Sequence, residues 1–240
     1  MIKVRNEQGL KSKNKMICFP YAGGCASFYE KWKNEINEIE ICPIQLPGRE
    51  ESFRDEKIYD METAVEQVLE KIEEYVDQST IFFGHSMGAK MAYEVIKELE
   101  KRGKRVRCLI VSGSSAPDIP PKKMVHHLPE KDLLDELQRL SGTPDELLED
   151  KDLLKCFLPM IRADFTLDET YMPILRVKLS CPIVAWGGTE DFDVYKEDLE
   201  AWKDFSYGNF QMKHFHGNHF FIKDCEEEVF NEMRKVIKEI

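Results

Sequence analysis

The segment GHSMG, residues 84–88, is the part of the sequence most suited to covalent catalysis. It follows the apolar run 80–83, which is typical of a strand, and it precedes a segment typical of a helix. A serine at such a junction has its hydroxyl exposed at the helix amino terminus, where the helix dipole favours a developing anion. The alternative is a glycine-rich turn whose serine only caps the helix. The flanking strand and helix favour Ser86 as a nucleophile.

A serine hydroxyl needs a base to accept its proton, and a histidine base needs a third group to orient it. For a nucleophile on a strand–turn–helix junction, the chain order is serine, acid, histidine. The acid is expected just after a strand, and PIVAWGGTEDFDV provides such a position. We predict Asp191 as the acid, with Asp193 and Glu190 as competitors.

The histidine is expected in a loop before the last helix, and HFHGNHFF lies there. His219 follows two small turn residues, Gly217 and Asn218, and precedes two aromatic residues that can pack against its ring. We therefore predict His219 as the base, with His216 as the alternative. His214 is expected at a strand end, in a structural role.

The oxyanion of an acyl-transfer reaction needs two backbone N–H donors. One is expected from the residue after the nucleophile, Met87, and the other from a loop after an early strand. The glycine-rich segment FPYAGG fits the second position, with the donor at Ala22 or Tyr21. A plain turn is the alternative for this segment, because glycine pairs mark many loops.

The length, composition and charge of the whole chain limit the functions that these residues can serve. It has 240 residues, 42% hydrophobic and 33% charged, which suits one globular α/β domain. The net charge of −11 argues against binding nucleic acid or an anionic membrane. The seven cysteines form no C-x-x-C pair, so we expect no metal site, no disulfide framework and a reducing cytoplasm. There is no apolar run of membrane-spanning length and no signal-peptide pattern at the amino terminus.

Short apolar strands alternate with amphipathic helices along the chain, which predicts a mostly parallel sheet covered on both faces. The predicted strands are residues 16–19, 41–45, 80–83, 106–112, 181–188 and 209–214. The predicted helices cover residues 62–76, 87–102 and 196–204, and a last helix starts at Glu226. Residues 129–171 are helical in pattern and without strands. This pattern fits two interpretations equally well: a lid over the site, and two structural helices that pack on the sheet edge.

Four segments, CFPYAGG, QLPGRE, FFGHSMGA and FHGNHFF, occur in this order. With them, the sequence resembles the type II thioesterases of nonribosomal peptide and polyketide synthetase systems, from about Met16 to the last helix. The resemblance implies a single α/β-hydrolase domain over residues 1–240: a mostly parallel central sheet flanked by helices. It also implies a helical lid inserted at about 117–177.

The resemblance further implies hydrolysis of acyl thioesters on the phosphopantetheine arm of an acyl or peptidyl carrier protein, without metal or cofactor. By position, Ser86, Asp191 and His219 match the family's triad, and the amides of Met87 and Ala22 match its oxyanion hole. Asn218 departs from the family, which usually has a second glycine there. Members are usually monomeric.

Two other functions remain open from the sequence. One is an esterase, acyl-CoA thioesterase or acyltransferase that acts on free small molecules. The other is a carrier-binding module without turnover. Carrier proteins are generally acidic, as this chain is, so docking is expected through local basic segments. PKKMVHH, with Lys122 and Lys123, is one candidate, and KRGKR, residues 101–105, is the other.

Overall fold

The computed structural model describes residues 1–140, 142 and 151–240. In this part of the chain, seven strands form one sheet in the order β1-β3-β2-β4-β5-β6-β7. Strand β1 is antiparallel to β3, and the other pairs are parallel. The strands are β1 (Lys3–Val4), β2 (Lys15–Phe19), β3 (Glu40–Gln45), β4 (Thr80–His85), β5 (Cys108–Ser112), β6 (Ile183–Gly188) and β7 (Phe210–Phe215).

Helices connect these strands and cover both faces of the sheet. They are α1 (Ala26–Glu30), α2 (Met61–Ile72), α3 (Met87–Lys101), α4 (Glu130–Leu140), α5 (Lys151–Thr170), α6 (Lys196–Glu200), α7 (Phe221–Asp224) and α8 (Glu226–Glu239). Short 3-10 helices occur at Gly9–Lys11, Lys31–Asn34, Glu50–Ser52, Glu73–Tyr75 and Ala201–Phe205. Every predicted strand is present, with ends that differ by one or two residues. The antiparallel edge strand β1 was not predicted.

The alternation of side chains along the strands explains why both faces are covered. In β2, Ile17 and Phe19 point to one apolar cluster, whereas Met16 and Cys18 belong to the other. Successive side chains of a strand point to opposite faces, so a strand that is apolar throughout needs helices on both sides. Helices α2, α3 and α6 contribute buried residues to the first cluster, and α1, α7 and α8 contribute to the second.

Helices α4 and α5 lie between β5 and β6 in the chain, and we call them the inserted helices. They share an apolar cluster separate from the two clusters of the sheet: Val125, Leu133, Leu137, Leu154, Leu158, Met160 and Ile161. The predicted helical block extended through residues 141 and 143–150, which lie outside the described residues. Among the residues that the structure describes, no helix has the length and apolar character to cross a membrane.

Candidate active site

Ser86 lies on a strained turn between β4 and α3. Its backbone has φ 53° and ψ −122°, a conformation that is uncommon for residues other than glycine. The two flanking glycines allow the turn to pack tightly. A Cβ on Gly84 would lie 2.2 Å from the carbonyl oxygen of Gly88, and a Cβ on Gly88 would lie 2.4 Å from that of Phe19. The two glycines are therefore required by the space at this junction, and the half-buried Ser86 lies at its tip.

His219 and Asp191 form a buried pair at the same edge of the sheet. The Nδ1 of His219 donates to Oδ2 of Asp191 across 2.8 Å. The other carboxylate oxygen, Oδ1, accepts from the backbone N–H groups of Asp193 at 2.9 Å and Val194 at 3.2 Å. The turn after β6 thus fixes the carboxylate, and the carboxylate fixes the imidazole ring.

The pair shifts the pKa of each partner. Burial alone would lower the pKa of His219, but the hydrogen bond to Asp191 and its negative charge outweigh burial and raise the pKa above its usual value. Burial alone would raise the pKa of Asp191. The hydrogen bond from His219, its charge and the two backbone N–H groups keep the pKa of Asp191 below its usual value. The carboxylate is therefore ionised when the imidazole accepts a proton.

The competing residues have other partners. Asp193 binds the guanidinium of Arg139, on the inserted helix α4, through contacts of 2.9 and 3.0 Å. Glu190 lies 3.5 Å from the exposed His216 ring, so these two residues face solvent together. His214 lies in β7, as expected. Among these candidates, the structure brings only Asp191 and His219 into contact with each other inside the protein.

The two predicted oxyanion donors come from different parts of the fold. Met87 is the first residue of α3, and the first N–H groups of a helix have no acceptor within the helix. In the loop after β2, the Gly24 N–H donates to Tyr21 O at 2.8 Å, and the Gly23 N–H donates to Asp164 at 2.7 Å. The N–H of Ala22 has no hydrogen-bond acceptor within the described residues.

A network that the sequence analysis did not identify holds this loop. The Arg49 guanidinium donates to both carboxylate oxygens of Asp164, at 2.7 and 2.8 Å, and to the carbonyl oxygen of Gly24 at 2.7 Å. Gln45 accepts from the Ala26 N–H at 2.7 Å. The segment QLPGRE contains both Gln45 and Arg49 and was noticed only as a point of resemblance. That segment was the available signal; nothing in the sequence around Asp164 marks it as the partner.

His85, the second residue of GHSMG, is also part of the site's structure. Burial lowers the pKa of His85 well below its usual value, so its ring is neutral. Its Nδ1 is hydrogen-bonded to Ser112 Oγ at 2.9 Å, and its ring lies 5.2 Å from that of His219. The ring therefore supports the back of His219 without competing for its proton.

Ser86 and His219 line one cavity of about 120 Å³, together with polar residues that include Lys90, Ser114 and Asp168. A second cavity of about 510 Å³ begins at the loop of Tyr21, Ala22 and Gly23. Its other walls are mainly apolar side chains, with Phe28, Leu137, Phe157, Met160 and Ile161 among them. Leu140 and Phe165 of the inserted helices line both cavities. The site thus has a small polar part at the serine and a larger apolar part beside it.

The two basic segments considered for docking differ in their position. Lys122 and Lys123 line the Ser86 cavity, where Lys122 contacts Asp198 at 2.8 Å and Lys123 contacts Glu136. Residues 101–105 follow the carboxyl end of α3. Because α3 starts directly after Ser86 and has 15 residues, its far end is about 22 Å away along the helix axis. The second segment therefore lies at the opposite edge of the sheet from the site, near the start of β4.

Comparison with known proteins gives a consistent result. The family model for the thioesterase domain matches residues 14–237. The gramicidin S biosynthesis protein GrsT of Aneurinibacillus migulanus is 36% identical over 230 residues, which cover 95% of this chain and 90% of that protein.

Two solved structures show the same fold. RedJ, a thioesterase from the prodiginine pathway of Streptomyces coelicolor, has a TM-score of 0.87 and 33% identity, covering 94% of this chain and 86% of that one. The type II thioesterase BorB from the borrelidin cluster has a TM-score of 0.83 and 28% identity, covering 94% and 91%. These similarities confirm the predicted α/β-hydrolase fold.

Proposed function

Because the chain belongs to the thioesterase family, we propose that it hydrolyses acyl thioesters on the phosphopantetheine arm of carrier proteins in a nonribosomal peptide or polyketide synthetase system. The chemical part rests on one observation: the strained Ser86 turn and the His219–Asp191 pair meet at one cavity. The substrate part rests on similarity to GrsT, RedJ and BorB, whose names refer to the biosynthesis of gramicidin S, prodiginine and borrelidin. Removal of unwanted acyl groups from carriers follows as the biological role.

The proposed reaction begins with acylation of the serine. Ser86 Oγ attacks the thioester carbonyl carbon while Nε2 of His219 accepts the hydroxyl proton. The tetrahedral intermediate then collapses, the carbon–sulfur bond breaks, and the pantetheine thiol leaves with a proton from His219. A thiol leaves more readily than an alkoxide, so little protonation of the leaving group is needed. The acyl group stays on Ser86 as an ester.

Hydrolysis of this ester completes the cycle. His219 takes a proton from water as the water attacks the acyl-serine carbonyl, and it returns a proton to Ser86 Oγ when the acid leaves. Asp191 keeps the imidazole in the tautomer with hydrogen on Nδ1 and stabilises the imidazolium in both steps. The raised pKa of His219 agrees with this role, because it reflects a stabilised charged form.

The amides of Met87 and Ala22 are proposed to bind the oxyanion in both steps. A helix amino terminus carries a partial positive charge, which supports the Met87 N–H. The Ala22 N–H, which has no acceptor among the described residues, is proposed as the second donor. Such donors stabilise charge that develops only in the transition state, and the loss of one costs about 10²–10³ in kcat.

The inserted helices are proposed to act as a lid, in one domain with the sheet. Residues of both helices border the cavities that contain Ser86 and Ala22, which supports this role over simple packing on the sheet edge. We propose a monomer that works in the cytoplasm. All seven cysteines are unpaired, which suits a reducing compartment.

The test compares two acetyl thioesters that differ only in the protein. Hydrolysis of acetyl-phosphopantetheinyl carrier protein is measured beside that of acetyl-pantetheine, using wild type, Ser86→Ala and the control Ser79→Ala. Ser79 is a half-buried serine that precedes β4 and lines neither cavity. We expect Ser86-dependent turnover with higher kcat/KM for the carrier substrate, and a wild-type result for Ser79→Ala.

Other outcomes would change the function in defined ways. Equal or faster turnover of acetyl-pantetheine would keep the Ser86 chemistry and assign the protein to general thioesterases or esterases acting on small molecules. Turnover that persists in Ser86→Ala would exclude the proposed nucleophile. Binding of the carrier without any turnover would favour a carrier-binding module.

A further inference from the structure

The loop that presents the Ala22 N–H is held by a charged pair that bridges two distant parts of the chain. Asp164 lies in the inserted helix α5, and Arg49 lies in the turn after β3. Oδ2 of Asp164 accepts from the Gly23 N–H at 2.7 Å and from Arg49 at 2.8 Å, so one oxygen serves both the loop and the guanidinium. Arg49 also donates to Gly24 O at 2.7 Å. Asp164 thus accepts from an N–H group of the loop and Arg49 donates to a carbonyl oxygen of the loop, at the two residues directly after Ala22.

Both charged groups of this pair are buried, and a buried pair of charges is a poor source of stability for a fold. Arg49 is 1% exposed and Asp164 is 3% exposed. Removal of two charges from water costs nearly as much as their attraction returns, and an apolar pair of similar volume is often as stable. Stability of the fold alone therefore gives little reason for a charged pair here. The hydrogen bonds that the pair makes to Gly23 and Gly24 are what an apolar pair could not supply.

The geometry of the loop shows what those hydrogen bonds control. Gly23 has φ +77°, a left-handed conformation, and it is the residue after Ala22. The Gly24 N–H closes the turn onto Tyr21 O at 2.8 Å. With Gly23 and Gly24 fixed by Asp164 and Arg49, the peptide plane of Ala22 has little freedom. Its N–H has no acceptor in the described part of the chain.

We infer that Arg49 and Asp164 are positioning residues for the oxyanion-binding loop, and that helix α5 therefore sets the direction of the Ala22 N–H through its own carboxylate. A displacement of α5 that moved Asp164 would release Gly23 and loosen the loop. Helix α5 would then affect the catalytic step itself, in addition to covering the cavity. This inference rests on the proposed chemistry at Ser86, but not on the identity of the thioester.

The decisive variants separate positioning from stability. Asp164→Leu leaves the Arg49 charge buried without its partner, so the Tm should fall. The double variant Arg49→Met with Asp164→Leu removes both charges and fills the space, so the Tm should return toward that of the wild type. The hydrogen bond between Gly23 and Asp164 is absent in both variants, and the double variant also lacks the one from Arg49 to Gly24. We expect kcat for p-nitrophenyl acetate to stay about 10²-fold below wild type in the double variant, the size of effect that a misplacement of about 1 Å produces.

Two further readouts identify a positioning effect. KM for this small ester should change little, because the loop stabilises the transition state rather than the bound ester. The acid limb of the pH profile should stay where it is in the wild type, because the His219–Asp191 pair does not contact Arg49 or Asp164. Inhibition by a small boronic acid, which forms a tetrahedral adduct on the serine, should weaken by about the same factor as kcat/KM.

Tyr171→Phe is the matched control. The Tyr171 hydroxyl donates to Glu94 at 2.6 Å just beyond the end of α5, so the change loosens the same helix without reaching the loop. We expect a lower Tm with wild-type kcat.

Recovery of kcat together with Tm in the double variant would overturn the inference, since the pair would then be structural only. Wild-type kcat in Asp164→Leu would overturn it too. The same assay includes Ser86→Ala. Turnover that persists there would overturn the proposed nucleophile and this inference together, whereas Ser86-dependent turnover insensitive to Asp164 would overturn this inference alone.

Discussion

The sheet side and the inserted-helix side of the candidate site are stabilised by different interactions. On the sheet side, Ser86 is fixed by a strained backbone between two glycines that cannot be replaced without a clash. On the inserted-helix side, α5 is attached by polar pairs that reach the rest of the protein. Its Asp164 binds Arg49, and its Asp168 binds Lys90 of α3 at 3.0 Å.

This contrast has a physical origin. The sheet has two large apolar clusters, one on each face, whereas the inserted helices have one small cluster of their own. Helix α5 contributes Leu167 to the first cluster of the sheet, and directional contacts between charged groups supply further attachment. Backbone sterics hold Ser86, the proposed nucleophile, and ion pairs of Asp164 and Asp168 help to hold α5. A substitution on the sheet side should therefore act through a steric clash, and one on the inserted-helix side through an unpaired charge.

The largest expected effect is on the sheet side, at the acid. Asp191→Asn should lower kcat by about 10⁴-fold, because the amide favours the wrong tautomer of His219. Asp193→Asn is the control, and its effect should be far smaller, since Asp193 binds Arg139. Steady-state kinetics on acetyl-pantetheine measures both. A larger loss in the Asp193 variant would assign the acid to Asp193.

Backbone sterics at the nucleophile predict the next effect. In Gly84→Ala the new Cβ would lie 2.2 Å from Gly88 O, so the free energy of unfolding should fall by about 3 kcal/mol, the upper end for overpacking. Gly103→Ala is the control. Gly103 has φ +77° but open space around it, so its loss should be about 1 kcal/mol. Urea unfolding measures both, and equal losses would contradict the steric explanation.

On the inserted-helix side, Lys90→Met should lower the free energy of unfolding by about 3 kcal/mol, because it leaves the largely buried Asp168 without its partner. The double variant Lys90→Met with Asp168→Leu should recover most of this loss. Failure of the double variant to recover would mean that the pair contributes through its hydrogen bonds rather than through charge balance. No change in Lys90→Met would contradict the view that ion pairs attach this helix.

The smallest expected effect is a shift in pH dependence. His219 accepts a proton only when it is neutral, so kcat/KM should fall as pH drops through the pKa of His219. Asp191 raises that pKa, so the midpoint of the acid limb should lie above the usual value of about 6.5. In Asp191→Asn the midpoint should move to lower pH, because burial then acts without the opposing charge. A wild-type midpoint below 6.5 would contradict the raised pKa.

The sheet side could be predicted from the sequence to a large extent. The apolar run before GHSMG and the helical pattern after it are local, and the structure has β4 and α3 at those places. Strand β1 could not be predicted, because two residues, Lys3 and Val4, are too few to show an alternating pattern. The sequence left Asp191 and Asp193 as alternatives. Of the two, Asp191 contacts His219, and that contact depends on the direction of side chains in a turn.

The inserted-helix side could be predicted only as a helical pattern. Arg49 and Asp164 are 115 positions apart, and neither has a neighbour in sequence that indicates the other. Their pairing depends on how α5 packs over the end of β2, which local propensity does not encode. The sequence therefore indicated the groups that we propose to react, but it gave no sign of Arg49 and Asp164, which we infer to position the loop of Ala22.

Labelling with a fluorophosphonate tests the central claim, that Ser86 is the activated nucleophile of this site. The intact protein is treated with the reagent, digested, and mapped by mass spectrometry, with Asp191→Asn and Ser86→Ala in parallel. The account predicts one adduct per chain on the peptide that contains Ser86, formed much more slowly in Asp191→Asn and not at all in Ser86→Ala. An adduct at another residue, or labelling of Ser86 at the same rate in Asp191→Asn, would contradict it.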